Sequence, residues 1–150
     1  FVAVQSEGCA PFALAMKAGL GPEAVKPWSN PKTIASGISD AFPIDLDGAY
    51  KSVQETDGLV ETVTDDEIIE TQLLLARTEG IFAEPTGAVS LAGAIKLARS
   101  GEIKPTETVV CEITGHGLND FEPIMGQFEE VPRIQPTLEE FERTLTRDSL

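Results

Sequence analysis

The fold is decided by the stretch Leu59-Val-Glu-Thr-Val-Thr-Asp-Asp-Glu67, in which one periodicity replaces another. Its first five residues alternate apolar and polar side chains over most of their length, which is typical of a strand with one exposed face. The next four form a capping box, with Thr64 and Glu67 as its two ends, and predict a helix that ends at Gly80. A strand that passes directly into a helix indicates an α/β fold.

The same alternation of strand and helix continues on both sides of this stretch. Upstream, the sequence predicts a buried strand at Val2-Ala-Val4 and helices over Pro11 to Ala18 and Leu46 to Thr56. Downstream, it predicts a helix from Pro85 to about Ser100 and a strand from Thr108 to Ile113, buried on at least one face. We therefore expect a mostly parallel sheet flanked by helices.

The remaining segments are one long connection and a short tail helix. The connection runs from Leu20 to Asp45, is interrupted by several prolines and glycines, and has the length at which ordered loops are usually functional. The stretch Asp45-Leu-Asp-Gly48 has the wrong spacing for a calcium loop and is interpreted as an acidic helix cap. A second capping-box pattern, Thr137-Leu-Glu-Glu140, predicts the tail helix.

Composition disfavours several classes of function. The chain has 150 residues, of which 41% are hydrophobic and 24% are charged, so it can bury one ordinary core. A formal net charge of -14 without a basic cluster makes nucleic acid and anionic membrane surfaces poor partners. No apolar run approaches the ~20 residues of a membrane-spanning helix. Cys9 and Cys111 lack metal-ligand spacing and disfavour a disulfide scaffold, which fits a reducing cytoplasm.

Two segments of small residues are candidates for ligand contact. The predicted helix from Pro85 is rich in glycine and alanine, which permits either tight helix packing or the close approach of another backbone or a flat ligand. The stretch Thr114-Gly-His-Gly-Leu118 follows a predicted strand at its carboxyl end, where open α/β sheets bind ligands. His116, the one histidine, is interpreted first as a residue that hydrogen-bonds loop backbone and second as an acid or base.

Three blocks of sequence together resemble the carboxyl-terminal half of the threonine synthases. They are Val60-Glu-Thr-Val-Thr-Asp-Asp-Glu-Ile68, Ala76-Arg-Thr-Glu-Gly-Ile-Phe-Ala-Glu-Pro85 and Val109-Val-Cys-Glu-Ile-Thr-Gly-His-Gly-Leu118, and the opening Val4-Gln-Ser-Glu-Gly-Cys-Ala-Pro11 fits the same family. Threonine synthases are fold-type-II pyridoxal-phosphate enzymes (tryptophan synthase beta-like). The resemblance implies pyridoxal 5'-phosphate as cofactor and a lyase that converts O-phosphohomoserine and water to threonine and phosphate.

The resemblance also implies cofactor-binding residues. Thr114 matches the hydroxyl that meets the pyridine nitrogen, and Glu84 lies in the family's Glu-Pro segment, where it orients a catalytic group or merely caps helix amides. Gly115 and Gly117 let the backbone approach the ring. The Schiff-base lysine and the phosphate-binding loop of the family lie upstream of the matched region, so no catalytic residue is assigned. No metal site is predicted.

Departures from the family leave the substrate open. The stretch Thr33-Ile-Ala-Ser-Gly-Ile-Ser-Asp40 lacks the basic residue and the Gly-Asn-Pro that threonine synthases carry there, and Asn119 stands in place of a lysine. The alternatives are a cysteate synthase-like or serine/threonine dehydratase-like enzyme of the same fold type, and a non-catalytic acidic α/β binding module.

We expect the chain to be a piece of a longer polypeptide, because it starts at Phe1, without Met, inside a predicted strand. Residues 1–120 are then part of a large carboxyl-terminal domain, and residues 121–150 an extension with a short helix. The resemblance implies that the intact enzyme is a cytoplasmic homodimer that binds a small phosphorylated amino acid. The piece alone is expected to be inactive.

Overall fold

Two parallel strands lie at the centre of the molecule. The structure is a computed structural model and describes residues 1–128 and 132–147. Strand β1, Val2–Ser6, pairs with strand β2, Leu59–Val63, in a register that sets Val2 opposite Leu59 and Ser6 opposite Val63. Both strands are as predicted, and the observed architecture is the expected α/β fold with a parallel sheet flanked by helices.

The helices begin and end where the local sequence predicts. Proline occupies the first turn of the helices at Pro11 and Pro85, and left-handed glycines follow two others, with φ of +68° at Gly80 and +85° at Gly101. The four-residue helix at Glu122 was not predicted. The helices are α1 (Pro11–Lys17), α2 (Leu46–Glu55), α3 (Asp65–Glu79), α4 (Pro85–Ser100), α5 (Glu122–Met125) and α6 (Leu138–Arg147).

Side-chain caps fix the starts of α2 and α3. At α3 the Thr64 hydroxyl accepts the Glu67 amide at 3.1 Å while the Glu67 carboxylate accepts the Thr64 amide at 2.8 Å, so the predicted capping box is confirmed. At α2 the Asp45 carboxylate accepts the Gly48 amide at 3.2 Å. Asp45 is therefore a helix cap, as interpreted from the sequence.

Helices cover the sheet with two separate apolar clusters. The first cluster joins α1, α2 and the long connection, and Ala3 and Val60 of the strands pack against it; its buried members are Phe12, Ala15, Val25, Leu46, Tyr50 and Val53. The second joins β2, α3 and α4, with Val4 of β1 packed against it; its buried members are Ala35, Val63, Ile68, Ala88, Val89 and Ala92. None of the helices in the described ranges is long and apolar enough to cross a membrane.

The predicted strand at Thr108–Ile113 is wrong. The segment pairs with no strand of the described chain, and Val110 is 90% exposed, so the expected buried face is wrong as well. Its β-rich composition favours an extended backbone, but a strand also needs a neighbour that shares its backbone hydrogen bonds. Here the segment borders a groove together with the start of β1, and the Ser90 hydroxyl of α4 donates to the Glu112 carbonyl at 2.9 Å.

The long connection from Leu20 to Asp45 is ordered by contacts at the carboxyl ends of the strands. Asp65, in the first turn of α3, accepts the Thr33 hydroxyl at 2.6 Å and the Ile34 amide at 3.3 Å. A short 3-10 turn, Ser36–Ile38, follows immediately. The connection thereby reaches the amino end of α4.

The carboxyl-terminal part contains α5 and α6. The Thr137 hydroxyl accepts the Glu140 amide at 3.3 Å, so the predicted cap of the tail helix is present. Of the predicted extension 121–150, residues 129–131 and 148–150 lie outside the described residues.

Candidate functional site

Three segments meet at the amino end of α4. The turn Ser36–Ile38 is held there because the Thr86 hydroxyl accepts the Gly37 amide at 3.0 Å. The same turn reaches the loop after the 108–113 segment, where the Ser36 hydroxyl donates to the Asp120 carboxylate at 3.2 Å. The third segment, residues 82–84, leads directly into α4. Together the three segments form the wall of the candidate site.

A short backbone pairing joins residues 82–84 to the Thr-Gly-His-Gly stretch. The Glu84 amide donates to the Gly115 carbonyl at 3.0 Å, and the Gly117 amide donates to the Phe82 carbonyl at 2.8 Å. These two bonds form an antiparallel bridge between Ala83 and His116, which lies outside the main sheet. This pairing brings two sequence blocks that are about thirty residues apart to one place.

Three of the four cofactor-binding residues predicted from the sequence make contact across this pairing. Glu84 is half-buried, and a Cβ built on Gly115 would overlap its carboxyl group. Gly117 is buried beneath Phe82, and a Cβ there would lie 2.6 Å from the ring carbon Cε1. Thr114 is exposed, and its backbone amide lies 3.3 Å from the position of a Cβ on Gly87. The glycines are therefore required by close approach, as the sequence predicted.

His116 performs the first of the two roles considered for it. Its Nδ1 accepts the Leu118 amide at 3.1 Å, and its ring meets the edge of Phe82 at 6.0 Å between centroids. The imidazole thus shapes the loop that carries Asn119 and Asp120.

The electrostatics of the site are those of a helix amino end facing polar groups. Glu84 is the N-cap residue of α4, but its side chain makes no capping hydrogen bond, so the interpretation that it merely caps amides is wrong. Neither the stretch 33–40 nor the stretch 112–120 includes lysine or arginine, so these two segments bring no cation to the carboxylates of Glu84 and Asp120. The helix dipole of α4 favours an anionic group at this end.

Lys96, the lysine of α4, is engaged elsewhere. Its Nζ donates to the Thr62 carbonyl at 2.8 Å and to the Glu67 carboxylate at 3.1 Å, and Glu7 lies 3.5 Å away. Partial burial lowers the pKa of Lys96, but hydrogen bonding to Glu67 and the neighbouring carboxylates outweigh it and leave the pKa raised. Lys96 is therefore a structural cation that ties α4 to β2 and α3.

The thiols and the metal-ligand residues contribute no chemistry here. Cys9 and Cys111 are free, as expected, and burial raises the pKa of each thiol above its ordinary value. A raised pKa leaves little of the nucleophilic thiolate at neutral pH. Within residues 1–128 and 132–147, no group of His, Cys, Asp and Glu side chains has the arrangement of a metal site.

Sequence reasoning missed four residues that build the site. Ser36, Thr86 and Asp120 connect its walls, and no local pattern identifies them, because each bond joins distant segments. The fourth, Gln72, is fully buried and donates from Nε2 to the Ala83 carbonyl at 2.7 Å. A signal for it was available, since Gln72 is a polar residue at helical spacing between the buried Ile68 and Leu75 of α3.

Comparisons with known proteins agree with this picture. A family profile described as "Pyridoxal-phosphate dependent enzyme" matches residues 1–115. The threonine synthase of Methanocaldococcus jannaschii is 38% identical over 142 residues, which cover 95% of this chain and 35% of that protein. The threonine synthase of Methanosarcina acetivorans is 42% identical over 127 residues, which cover 85% of this chain and 31% of that protein. The resemblance to threonine synthases is therefore confirmed.

Solved structures show the same fold. The processed form of threonine deaminase isoform 2 from Solanum lycopersicum superposes with a TM-score of 0.65 and 23% identity, covering 85% of this chain and 34% of that one. A bacterial-type match, the threonine deaminase of T.th., gives a TM-score of 0.53 over 65% of this chain and 34% of that one, also at 23% identity. The chain spans about a third of the length of the curated relatives it matches.

Proposed function

Because the chain belongs to the pyridoxal-phosphate dependent enzyme family, we propose that it is part of a lyase of the threonine synthase type. The reaction is the conversion of O-phosphohomoserine and water to threonine and phosphate. Support comes from the similarity to threonine synthases of several organisms, and from the pairing of residues 82–84 with 115–117, which is the observation that carries the proposal. That pairing sets a carboxylate and a hydroxyl-bearing loop at one helix amino end.

The described residues fit one edge of a flat cofactor. Thr114 offers an exposed hydroxyl, and glycines stand at 115 and 117, where any Cβ would fill space already occupied by Glu84 or Phe82. When bound, pyridoxal phosphate supplies an electron sink for chemistry at the β or γ carbon of an amino acid. Thr114 would hold the pyridine nitrogen through a neutral hydroxyl, which does not require that nitrogen to be protonated. A weaker electron sink favours elimination and replacement reactions.

Glu84 would act as a local acceptor beside the cofactor. Its carboxylate is free of a capping bond and lies against Gly115, so it is available to orient a reacting group or to hold a proton. Gly87 in the first turn of α4 keeps the helix close to the backbone of Thr114 and Gly115. The backbone contacts therefore fix the relative positions of Glu84 and Thr114.

The wider organisation of the enzyme is part of the same proposal. Residues 1–120 would belong to its large carboxyl-terminal domain, and residues 121–150 would form an extension. The Schiff-base lysine and the phosphate loop would lie in the part of the relatives' length, about two-thirds, that this chain does not match. The substrate would be a small phosphorylated amino acid, the intact enzyme a cytoplasmic homodimer, and the net charge of -14 disfavours nucleic acid as a partner.

One observation favours a second candidate, a related enzyme of the dehydratase or cysteate synthase type. The turn at Ser36–Ile38 borders the site through Thr86 and Asp120, and the stretch from Ser36 to Asp40 has no basic residue. A phosphorylated substrate needs cations nearby. If no other part of the enzyme supplies them, a substrate without phosphate fits this wall better.

The test uses the full-length polypeptide loaded with pyridoxal phosphate. Phosphate release is measured with O-phosphohomoserine, and 2-oxo acid formation is measured separately with threonine and with serine. The proposal expects stoichiometric threonine and phosphate from the first substrate. Formation of 2-oxo acid from threonine or serine without phosphate release favours the dehydratase. Failure to bind the cofactor, read as the absence of its visible absorbance, contradicts both and favours a binding module.

A further inference from the structure

Gln72 occupies an unusual position in the apolar core. It lies in the middle of α3 and is fully buried, among the largest side chains with no exposure in the described chain. Its Nε2 donates to the Ala83 carbonyl at 2.7 Å, eleven residues along the chain. A buried amide that hydrogen-bonds a distant backbone carbonyl fixes the distance between two segments.

The bond to Ala83 acts on the outer edge of the 82–84 pairing. Phe82 and Glu84 direct their bonded backbone groups toward the loop at 115–117. In an extended segment, alternate residues direct these groups to opposite edges, so the Ala83 carbonyl faces away from that loop. A neighbouring strand would normally supply the donor at that edge. Here the side chain of Gln72 supplies it.

We propose that Gln72 is a positioning residue for the candidate site. Its amide fixes Ala83, and the pairing of 82–84 with 115–117 carries this constraint to Glu84 on one side and Thr114 on the other. Gln72 is fully buried and acts through these backbones, without touching substrate. What the positioned groups do rests on the proposed function, but the positioning itself is a property of the fold.

The second atom of the amide separates position from stability. In the part of the chain that the structure describes, the buried Oε1 of Gln72 has no hydrogen-bond partner. Burying an acceptor without a partner destabilises a protein, so an apolar side chain of equal length would suit the core at least as well. Replacement by such a side chain is therefore expected to loosen the site while leaving the overall stability unchanged or higher.

The experiment compares Gln72→Met with Thr71→Val in the full-length polypeptide. Methionine matches glutamine in length and removes the donor. Thr71 is also buried, but its hydroxyl donates within α3 to the Glu67 carbonyl at 2.7 Å, so its loss leaves residues 82–84 untouched. Amide hydrogen exchange is read at Glu84 and Gly117, the two donors of the pairing. Thermal unfolding and steady-state kinetics complete the measurement.

In Gln72→Met, exchange at Glu84 and Gly117 should quicken about tenfold or more relative to amides in the core of α4, at an unchanged or higher Tm. For the proposed reaction, kcat should fall by about tenfold to a hundredfold with little change in KM, as expected when reacting groups are displaced. Thr71→Val should show neither local effect.

Unchanged exchange at Glu84 and Gly117 would overturn the proposal, and so would exchange that quickens equally throughout the protein. If Gln72→Met does not unfold cooperatively, Gln72→Glu, which keeps the size of the side chain, is read at the same two amides with the same criteria. If the wild-type enzyme releases no phosphate from O-phosphohomoserine, the proposed function fails, while the exchange measurement still decides the role of Gln72.

Discussion

The two halves of α4 have similar compositions and do different things. In the first half, Pro85 to Ser90, the helix contacts the candidate site: Thr86 holds the 36–38 turn, and Gly87 approaches Thr114 and Gly115. In the second half, Leu91 to Ser100, the helix contacts the sheet. Gly93 lies against Val4 of β1 there, and Lys96 bonds the Thr62 carbonyl of β2.

This difference answers the question that the small residues of the helix raised. Tight packing and close approach of another backbone were both open interpretations of Gly87, Gly93 and the alanines around them. Both are correct, at opposite ends: packing on the sheet at Gly93 and approach of the site loop at Gly87. One stretch of small residues thus anchors the site to the core. We expect substitutions in the second half to change stability, and substitutions in the first half to change the site.

The largest stability effect is expected from Gly93→Ala in the second half. A Cβ at this position would overlap the side chain of Val4, which is held between sheet and helix. Overpacking of this kind costs about 2 kcal/mol, although alanine is the better helix former. Denaturant unfolding of the wild type and the variant measures the difference. Gly126→Ala, where a Cβ meets nothing within 4 Å, is the matched control and should be neutral.

Gly87→Ala sharpens the comparison from the other half. A Cβ there would lie 3.1 Å from the Gly115 amide nitrogen, so the site loop must move by a few tenths of an ångström. We expect turnover by the full-length enzyme to fall about tenfold, because small displacements of reacting groups are costly. The free energy of unfolding should change by less than about 1 kcal/mol. Loss of stability equal to that of Gly93→Ala would erase the distinction between the halves.

Acid sensitivity tests the second half through Glu67 and Lys96. Burial raises the pKa of Glu67, but hydrogen bonds from the Thr64 amide and Lys96 outweigh it and leave the pKa lowered. A carboxylate whose pKa is lowered by folding contributes stability above its unfolded pKa of about 4.3, and this contribution is lost as the pH falls through the folded value.

Lys96→Met should therefore reduce stability at pH 7 by about 1 kcal/mol, given the partial exposure of the ion pair, and flatten the acid limb of the pH profile. Unfolding free energies measured from pH 7 down to pH 3 check both expectations. An unchanged acid limb in the variant contradicts the role given to Lys96.

The smallest effect is expected from Ser90→Ala, at the end of the first half. The Ser90 hydroxyl donates to the Glu112 carbonyl, and this bond holds the exposed 108–113 segment to α4. Its loss should cost about 0.5 kcal/mol or less, because water can replace the donor. Exchange and unfolding measurements should show a local change near residues 112–114 alone. A loss above about 2 kcal/mol would mean that this segment is part of the core.

The sequence predicts features that depend on neighbours in the chain. The caps at Asp45 and Thr64 are confirmed because the groups that form each cap lie within four residues of one another. Strand β2 is confirmed because its partner β1 is part of the same chain. The predicted strand at Thr108–Ile113 has an equally β-rich composition but no described strand to pair with, and it is wrong.

The candidate site could be predicted only in part, for the same physical reason. Glu84, Gly115 and Gly117 were identified through resemblance to a family, and the structure brings them into contact. Their mutual position depends on bonds between segments, and so does the role of Gln72. Composition and periodicity contain no information about which distant carbonyl a buried amide will reach.

The most direct test of the proposed site is the activity of Thr114→Val in the full-length enzyme. Valine keeps the shape of threonine and removes the hydroxyl, at a position that is exposed. We expect turnover to fall by at least about tenfold with the same Tm and retained cofactor, because the pyridine nitrogen loses its hydrogen-bond partner. Normal turnover in this variant would contradict the placement of the cofactor edge at Thr114.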